Sequence, residues 1–209
     1  MFAVSFNNLT GSLPLSYGGA WVQLGRFEAN NNALRGTLPS VYSQWKQLTY
    51  FTVGHNQLSG ILPSDFSAWT QITSFFANDN NLTGTLPSSD SLWEDLVLFC
   101  VGFNQLNGSL PSSYSAWTRL EGFAVAVNQL NGTLPKEYCL WTELTYFSAF
   151  GNFFIGTLPP EYSTWTQLAL FEAHSNHLTG SLPPSYGGAW AGGLHKRVMY
   201  RKTSLAVRC

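Results

Sequence analysis

The chain repeats one pattern of apolar and polar positions about every 24 residues. In one unit the apolar series is Leu48, Phe51, Val53, Leu58 and Leu62, interrupted by Asn56 and Gly60 and followed by Pro63 and Trp69. A Leu-Pro pair ends at eight positions, separated by 25 residues once and by 24 residues six times. Several residue types recur in phase over eight units, which is the sequence signature of a solenoid.

Each unit predicts a short strand followed by a turn. Leu48, Phe51 and Val53 are expected to face the core, whereas Thr52 between them faces outward. Gly60 permits a tight bend, and Pro63 prevents a helix from continuing back through it. The Ser/Thr-rich stretch before each tryptophan is too short for a long helix, so we expect 3₁₀ or irregular turns there.

An asparagine closes every predicted strand. An inward amide at this position satisfies backbone groups in the turn that no strand ladder reaches, and stacked units then form a ladder. The predicted structural ladder is Asn7, Asn32, Asn56, Asn80, Asn104, Asn128, Asn152 and Asn176. The in-phase phenylalanines and tryptophans are assigned to a continuous core, because no unit buries its own apolar face.

The repeat predicts a solenoid over residues 1–190, built from eight 24-residue units. Phe2 already lies in the phenylalanine column, so we expect this solenoid to lack its N-terminal cap, as a fragment would. Residues 191–209 form a divergent basic tail with five Lys or Arg and no acid. Two interpretations of the tail stay open: contact with an anionic surface, or an unfolded or out-of-frame segment.

Composition narrows the function classes. Charged residues are only 10% of the 209 residues and the net charge is −1, which excludes a generally basic nucleic-acid-binding chain. No apolar run is long enough to span a membrane, and the first residues have no signal-peptide pattern. We therefore expect membrane association only through segments outside this sequence. Three cysteines do not indicate a redox compartment.

No catalytic, metal or cofactor pattern is present in the sequence. Neither a nucleophile elbow, a zinc-protease helix motif nor a phosphate loop occurs. His174 and His177 lie three residues apart with Glu172 nearby, but on a strand end this spacing is more typical of exposed polar variation than of a metal pair. We expect a protein that is not an enzyme and holds no metal or cofactor.

The sequence offers two kinds of candidate site. Four glycosylation sequons, at Asn8, Asn81, Asn107 and Asn131, are predicted to face outward, although they also follow from the repeat pattern itself. Exposed aromatics on the concave strand face favour partner binding, although a decaying array would scatter such residues too. The predicted contact set is Tyr50, Thr52, His55, Phe76, Asn78, Phe103, Tyr146, Phe150, Glu172 and His174.

The pattern Leu-x-x-Phe-x-Val-x-x-Asn-x-Leu resembles leucine-rich repeats. The fuller run from Asn128 to Trp141 is similar to the surface-antigen repeats of kinetoplastid protozoa and, less closely, to plant-type receptor repeats, which usually carry Ile-Pro. The resemblance implies an α/β leucine-rich-repeat solenoid, or horseshoe, with a parallel β-sheet on its concave face and short 3₁₀ or irregular convex segments. It also implies an extracellular or cell-surface location.

These observations predict a non-enzymatic interaction module of adhesion or antigen type, binding a protein or glycan through the concave face. Two alternatives stay open: a structural or decoy coat module, and the ectodomain fragment of a signalling receptor. The sequence identifies neither the ligand nor the oligomeric state.

Overall fold

The computed structural model describes residues 1–190, and the predicted basic tail lies outside these described residues. Within them, one eight-stranded parallel sheet runs the length of the molecule. Its strands are β1 (Phe2–Ala3), β3 (Arg26–Glu28), β5 (Tyr50–Thr52), β7 (Ser74–Phe76), β9 (Leu98–Cys100), β11 (Gly122–Ala124), β13 (Tyr146–Ser148) and β15 (Leu170–Glu172). Phe51 pairs with Phe27 on one side and Phe75 on the other, so the predicted phenylalanine column sets the register.

A second series of short parallel strands follows the asparagines, and the repeat pattern did not predict it. These strands are β2 (Thr10–Ser12), β4 (Ala33–Arg35), β6 (Ser59–Gly60), β8 (Asn81–Leu82), β10 (Asn107–Ser109), β12 (Gln129–Thr133), β14 (Phe153–Gly156) and β16 (His177–Leu178). The repeat glycine, with a positive φ in all eight repeats, lies within or just after each of them. Gly84 has φ +77°, and a Cβ there would lie 2.8 Å from Ile61 Cγ2.

The opposite face carries 3₁₀ helices, as predicted. They span Ser40–Gln44, Ser64–Ala68, Ser88–Leu92, Ser112–Ala116, Lys136–Leu140 and Pro160–Thr164. Each follows an extended proline whose carbonyl accepts the first turn's N–H, as Pro63 O does from Phe66 at 3.0 Å.

Two five-residue α-helices replace the 3₁₀ turn in the first and last repeats. They are α1 (Ser16–Ala20) and α2 (Ser185–Ala189), and both read Ser-Tyr-Gly-Gly-Ala. These repeats contain one more residue before their tryptophan. The Trp21 N–H therefore reaches Tyr17 O, four residues back, whereas Trp45 bonds Tyr42 O, three residues back. One inserted residue thus converts a 3₁₀ turn into an α turn.

Aromatic columns form the core between the sheet and the helices. The Phe51 and Phe75 rings stack at 5.6 Å between centroids, and Tyr138 stacks on Trp141 at 3.8 Å. The preceding repeat satisfies the polar ends of the inner tyrosine and tryptophan rings, whereas the buried Trp190 Nε1 has no partner among residues 1–190. Trp165 Nε1 donates to Tyr138 O at 3.0 Å, and Tyr162 Oη donates to Pro135 O at 3.0 Å. Each buried ring therefore fixes its neighbour in position as well as excluding water.

The asparagines at the strand ends use both ends of their amides. Asn56 Nδ2 donates to Ala29 O at 2.9 Å and to Val53 O at 3.0 Å, while Asn56 Oδ1 accepts the Leu34 N–H at 3.0 Å. The same arrangement recurs at Asn32, Asn80, Asn104, Asn128, Asn152 and Asn176. At the first repeat, Asn7 donates to carbonyls of its own turn.

Candidate partner-binding face

The concave face, formed by the outward side chains of the eight-stranded sheet, has a floor of small residues. Thr52, Ser74, Cys100, Ala124, Ala126 and Ser148 are all less than 9% exposed. The alternation of inward and outward side chains along a strand predicts which face of the sheet a residue lies on. It does not predict how much of that residue is covered by larger neighbouring side chains. Thr52 and Asn78, two predicted contact residues, therefore present little surface, at 6% and 7% exposure.

One aromatic cluster lies at the amino-terminal end of this face. The Arg26 guanidinium carbon lies 4.1 Å from the Tyr50 ring centroid, and Tyr50 contacts Phe76 at 5.6 Å between centroids. The Arg26 side chain also pairs with Glu28 Oε1 at 2.7 Å. The pKa of Tyr50 is raised, chiefly by burial and also by Glu28, while Arg26 opposes the shift. The tyrosine therefore stays neutral beneath its cation.

A polar cluster lies at the carboxyl ends of β5 and β7. His55 Nδ1 is 3.5 Å from Asp79 Oδ2, and Asn78 Nδ2 donates to Asp79 Oδ2 at 2.8 Å. Asn78 Nδ2 also lies 3.3 Å from His55 Nε2. Gly54 makes room for this arrangement, since a Cβ there would be 2.7 Å from Asn78 Oδ1.

An apolar cluster lies at the same edge of the sheet, beyond β9. The Phe103 and Phe150 rings meet edge to face at 6.3 Å, and Phe150 stacks on His174 at 4.6 Å. Phe103 and Phe150 belong to repeats that are not adjacent. The repeat between them contributes Ala126 at the position equivalent to Phe150, and its methyl group leaves space for the two rings to touch.

The residue before the ladder asparagine has a left-handed backbone in all eight repeats. Asp79 has φ 52°, Phe103 has φ 56° and Val127 has φ 54°. Glycine and asparagine adopt this region readily, whereas a bulky or β-branched residue is a true outlier that costs about 1–3 kcal/mol. Phe103 and Val127 are nevertheless 38% and 37% exposed, so burial does not repay their strain.

The remaining predicted residues are more scattered. Tyr146 is half-buried on β13, and Glu172 on β15 accepts a hydrogen bond from Ser148 Oγ at 3.0 Å. The sequon residues Asn8, Asn81, Asn107 and Asn131 are all exposed, and they lie after the ladder or on the second strand series, away from the concave face.

One chemically distinctive residue was missed by the sequence reasoning. Asp90 occupies the position that holds Tyr or Phe in every other repeat, and it is only 2% exposed. Its Oδ1 atom has no hydrogen-bond partner among residues 1–190, and burial raises its pKa to about 8. The signal was available, since Asp90 breaks an aromatic column that is otherwise in phase.

The described part of the chain shows neither a metal-binding nor a membrane-spanning arrangement. No group of three or more His, Cys, Asp or Glu converges there. None of its helices has the length and apolar character needed to cross a bilayer.

A model of the Leucine Rich Repeat family matches residues 47–69. The structure of a TDR receptor is 30% identical, with a TM-score of 0.87 over 92% of this chain and 33% of that one. The ectodomain of the Arabidopsis thaliana receptor kinase GASSHO1/SCHENGEN3, solved with CASPARIAN STRIP INTEGRITY FACTOR 2, is 26% identical with a TM-score of 0.86, over 88% and 22% of the two chains.

Arabidopsis HAESA, solved with the peptide hormone IDA and the co-receptor SERK1, is 27% identical with a TM-score of 0.85, over 92% of this chain and 32% of that one. This chain thus spans about a fifth to a third of the length of these receptor structures. A search of curated proteins finds no significant match. The fold is therefore a leucine-rich-repeat solenoid of the kind found in the ligand-binding ectodomains of plant receptors.

Proposed function

We propose that this solenoid is a non-enzymatic, cell-surface interaction module that binds a protein or peptide through its concave face. The observation that carries the proposal is the cluster of partly exposed rings on the concave edge, in which Phe103 meets Phe150 at 6.3 Å and Phe150 stacks on His174 at 4.6 Å. Exposed aromatics provide the anchors that dominate interface energetics.

The structural neighbours support this proposal. HAESA was solved with a peptide hormone, and it shares most of this chain's fold. The resemblance to kinetoplastid surface antigens supports an adhesion role, and the exposed sequons fit an extracellular location. A glycan is the second candidate ligand, because His55, Asn78 and Asp79 place polar groups near the Tyr50 and Phe76 rings.

The proposal can be tested by selecting ligands from a phage-displayed library of random twelve-residue peptides. The triple variant F76A/F103A/F150A is expected to lose most selected clones. The matched control is L15A/L92A/L140A, which removes three exposed leucines from the helical face. Both variants should keep the thermal unfolding profile of a folded chain.

Clones that bind both variants equally well would contradict the proposal, as would the absence of enriched clones. A glycan array in parallel, with binding lost in the first variant alone, would instead favour the second candidate. A coat module would give, in either assay, no ligand whose binding is lost in the concave-face variant F76A/F103A/F150A.

A further inference from the structure

The carboxyl-end edge of the concave sheet is chemically divided. We call this edge the rim, meaning the two residues before each ladder asparagine: 5–6, 30–31, 54–55, 78–79, 102–103, 126–127, 150–151 and 174–175. From β3 to β7 the rim side chains are polar, namely Asn30, Asn31, His55, Asn78 and Asp79, whereas Phe6 in the first repeat is apolar. From β9 to β13 they are apolar, namely Phe103, Ala126, Val127 and Phe150, and the last repeat returns to polar residues at His174 and Ser175. The change from polar to apolar falls between two adjacent strands.

The polar half of the rim carries an accessible negative charge. The Asp79 side chain is 37% exposed, and its near partners are the imidazole of His55 and the amide of Asn78. The other acid in this half, Glu28, is already paired with Arg26 at 2.7 Å. Residues 1–190 carry 11 acidic and 5 basic side chains, so the surrounding field does not favour an anionic ligand.

The apolar half of the rim presents a row of aromatic rings against which a ligand side chain could pack. Phe103, Phe150 and His174 form a continuous series of ring contacts at 6.3 and 4.6 Å. Ala126, at 4% exposure, forms the floor between the two phenylalanine rings. A ligand side chain resting there would contact aromatic faces and edges and would displace water from Val127.

The strand spacing gives the distance between the two halves. Asp79 follows β7, whereas Phe103 follows the next strand, β9, and Phe150 follows β13, three strands from β7. The pair is therefore centred two strands from Asp79. At about 4.8 Å per strand, the centre of the pair lies roughly 10 Å from Asp79 and the Phe150 ring roughly 14 Å, distances that an extended peptide spans in about three to four residues.

We propose that the rim selects an extended peptide with a Lys or Arg that pairs with Asp79 and an aromatic or large aliphatic residue, three to four positions away, that packs against Phe103 and Phe150. The inference rests on the proposed function, and it adds the chemistry and spacing of the partner. A basic residue gains a charge-assisted hydrogen bond at Asp79, whereas an acidic one there is repelled.

The probes are fluorescein-labelled Gly/Ser peptides that carry one Lys and one Phe, measured by fluorescence anisotropy with the full chain. One set of peptides carries Phe two, four or eight positions after Lys, and a second set carries it the same distances before Lys. In the set whose direction fits the rim, the four-position spacing is expected to bind about tenfold tighter than the two-position and eight-position spacings. Replacing the peptide Lys by Glu is expected to weaken binding by about threefold or more.

Two variants assign each half of the peptide to its contact. In D79N the preference for Lys over Ala in the peptide should disappear, while the preference for Phe stays. In F103A/F150A the reverse is expected. The matched control D65N removes an exposed acid from the helix Ser64–Ala68 on the opposite face and should change neither preference.

Equal binding at all spacings, no measurable binding of any probe, or a Lys preference that survives D79N would overturn the inference. The random-peptide selection separates this failure from failure of the proposed function. The selection could yield peptides that lose binding in F76A/F103A/F150A but have no basic residue three to four positions from an apolar one. In that case the proposed function would stand and the inference would be wrong. An empty selection would remove both.

Discussion

The aromatic column on the helical face and the left-handed position on the rim each take one residue from every repeat, yet they are used in opposite ways. The buried column is Tyr17, Tyr42, Phe66, Asp90, Tyr114, Tyr138, Tyr162 and Tyr186, uniform except at one place. The rim position is Phe6, Asn31, His55, Asp79, Phe103, Val127, Gly151 and Ser175, which are seven residue types in eight repeats. Close packing imposes one shape on the column, whereas solvent leaves the rim free to vary and to acquire a ligand.

Asp90 shows how firmly the column is held by its neighbours. The backbone around it is unchanged, with Asp90 N–H donating to Pro87 O at 3.1 Å and Trp93 N–H donating to Asp90 O at 3.0 Å. The tryptophan rings on either side keep their spacing, at 6.4 and 6.2 Å between centroids. The repeat therefore does not close around the smaller side chain, and its core is underpacked there.

The largest expected effect comes from copying this defect into an intact repeat. Tyr138→Asp removes the stack on Trp141, breaks the hydrogen bond to Pro111 O and buries a carboxyl group. We expect the free energy of unfolding to fall by about 4 kcal/mol or more. Urea unfolding monitored by tryptophan fluorescence measures it, and a loss below about 1 kcal/mol would show that the column tolerates gaps.

The converse change should stabilise the chain. Asp90→Tyr restores a ring against Trp93 and a hydroxyl near Pro63 O, and it removes the unpartnered Oδ1 atom. A gain of about 2–3 kcal/mol is expected in the same urea experiment. Asp65→Tyr on the exposed side of the preceding helix is the control and should change stability little. No gain at position 90 would mean that water or backbone shifts already satisfy the carboxyl group.

The next effect is a dependence of stability on pH. The pKa of Asp90 is near 3.8 in the unfolded chain and about 8 in the folded chain, because burial favours the neutral acid. The free energy of unfolding is therefore highest below the unfolded-state pKa, where Asp90 is neutral in both states. It falls as pH rises towards 8, by up to about 1.4 kcal/mol per pH unit. Thermal unfolding between pH 5 and 8 should show a steeper fall for the native chain than for Asp90→Asn. Parallel slopes would contradict this account.

The smallest effect belongs to the rim. Val127→Asn places a residue that tolerates a positive φ where a β-branched one is strained, and it removes little buried surface. A gain of about 0.5–1 kcal/mol is expected from thermal unfolding, together with weaker binding of peptides selected on the native chain. Gly151→Val at the next repeat should have the opposite effect on stability. Loss of stability at position 127 would indicate that Val127 is held by packing.

The sequence predicted the fold because its strongest constraints are buried and periodic. Phe51, Asn56 and Trp69 each occupy a position that holds the same residue type in every unit, because the packed interior of the repeat accepts only that side chain there. The second strand series was missed, since Gly60 and its polar neighbours give no apolar alternation to read. Thr52 was placed on the correct face but not at its correct depth, and the contact between Phe103 and Phe150 depends on a small residue in the intervening repeat. Such features arise from neighbours in space, which a single repeat does not reveal.

The bonds between repeats also determine how the molecule comes apart. Those of the Trp and Asn side chains join residues only 22–28 apart, as in Trp69 to Tyr42 and Leu34 to Asn56, so each unit is coupled to its immediate neighbours alone. Such an array behaves as a linear chain of nearest-neighbour interfaces, and one weak interface divides its cooperativity. With its missing ring and its unpartnered Oδ1 atom, Asp90 places that interface near the middle of the solenoid. Under denaturant or mechanical load the repeats before and after it therefore unfold as two separate cooperative blocks.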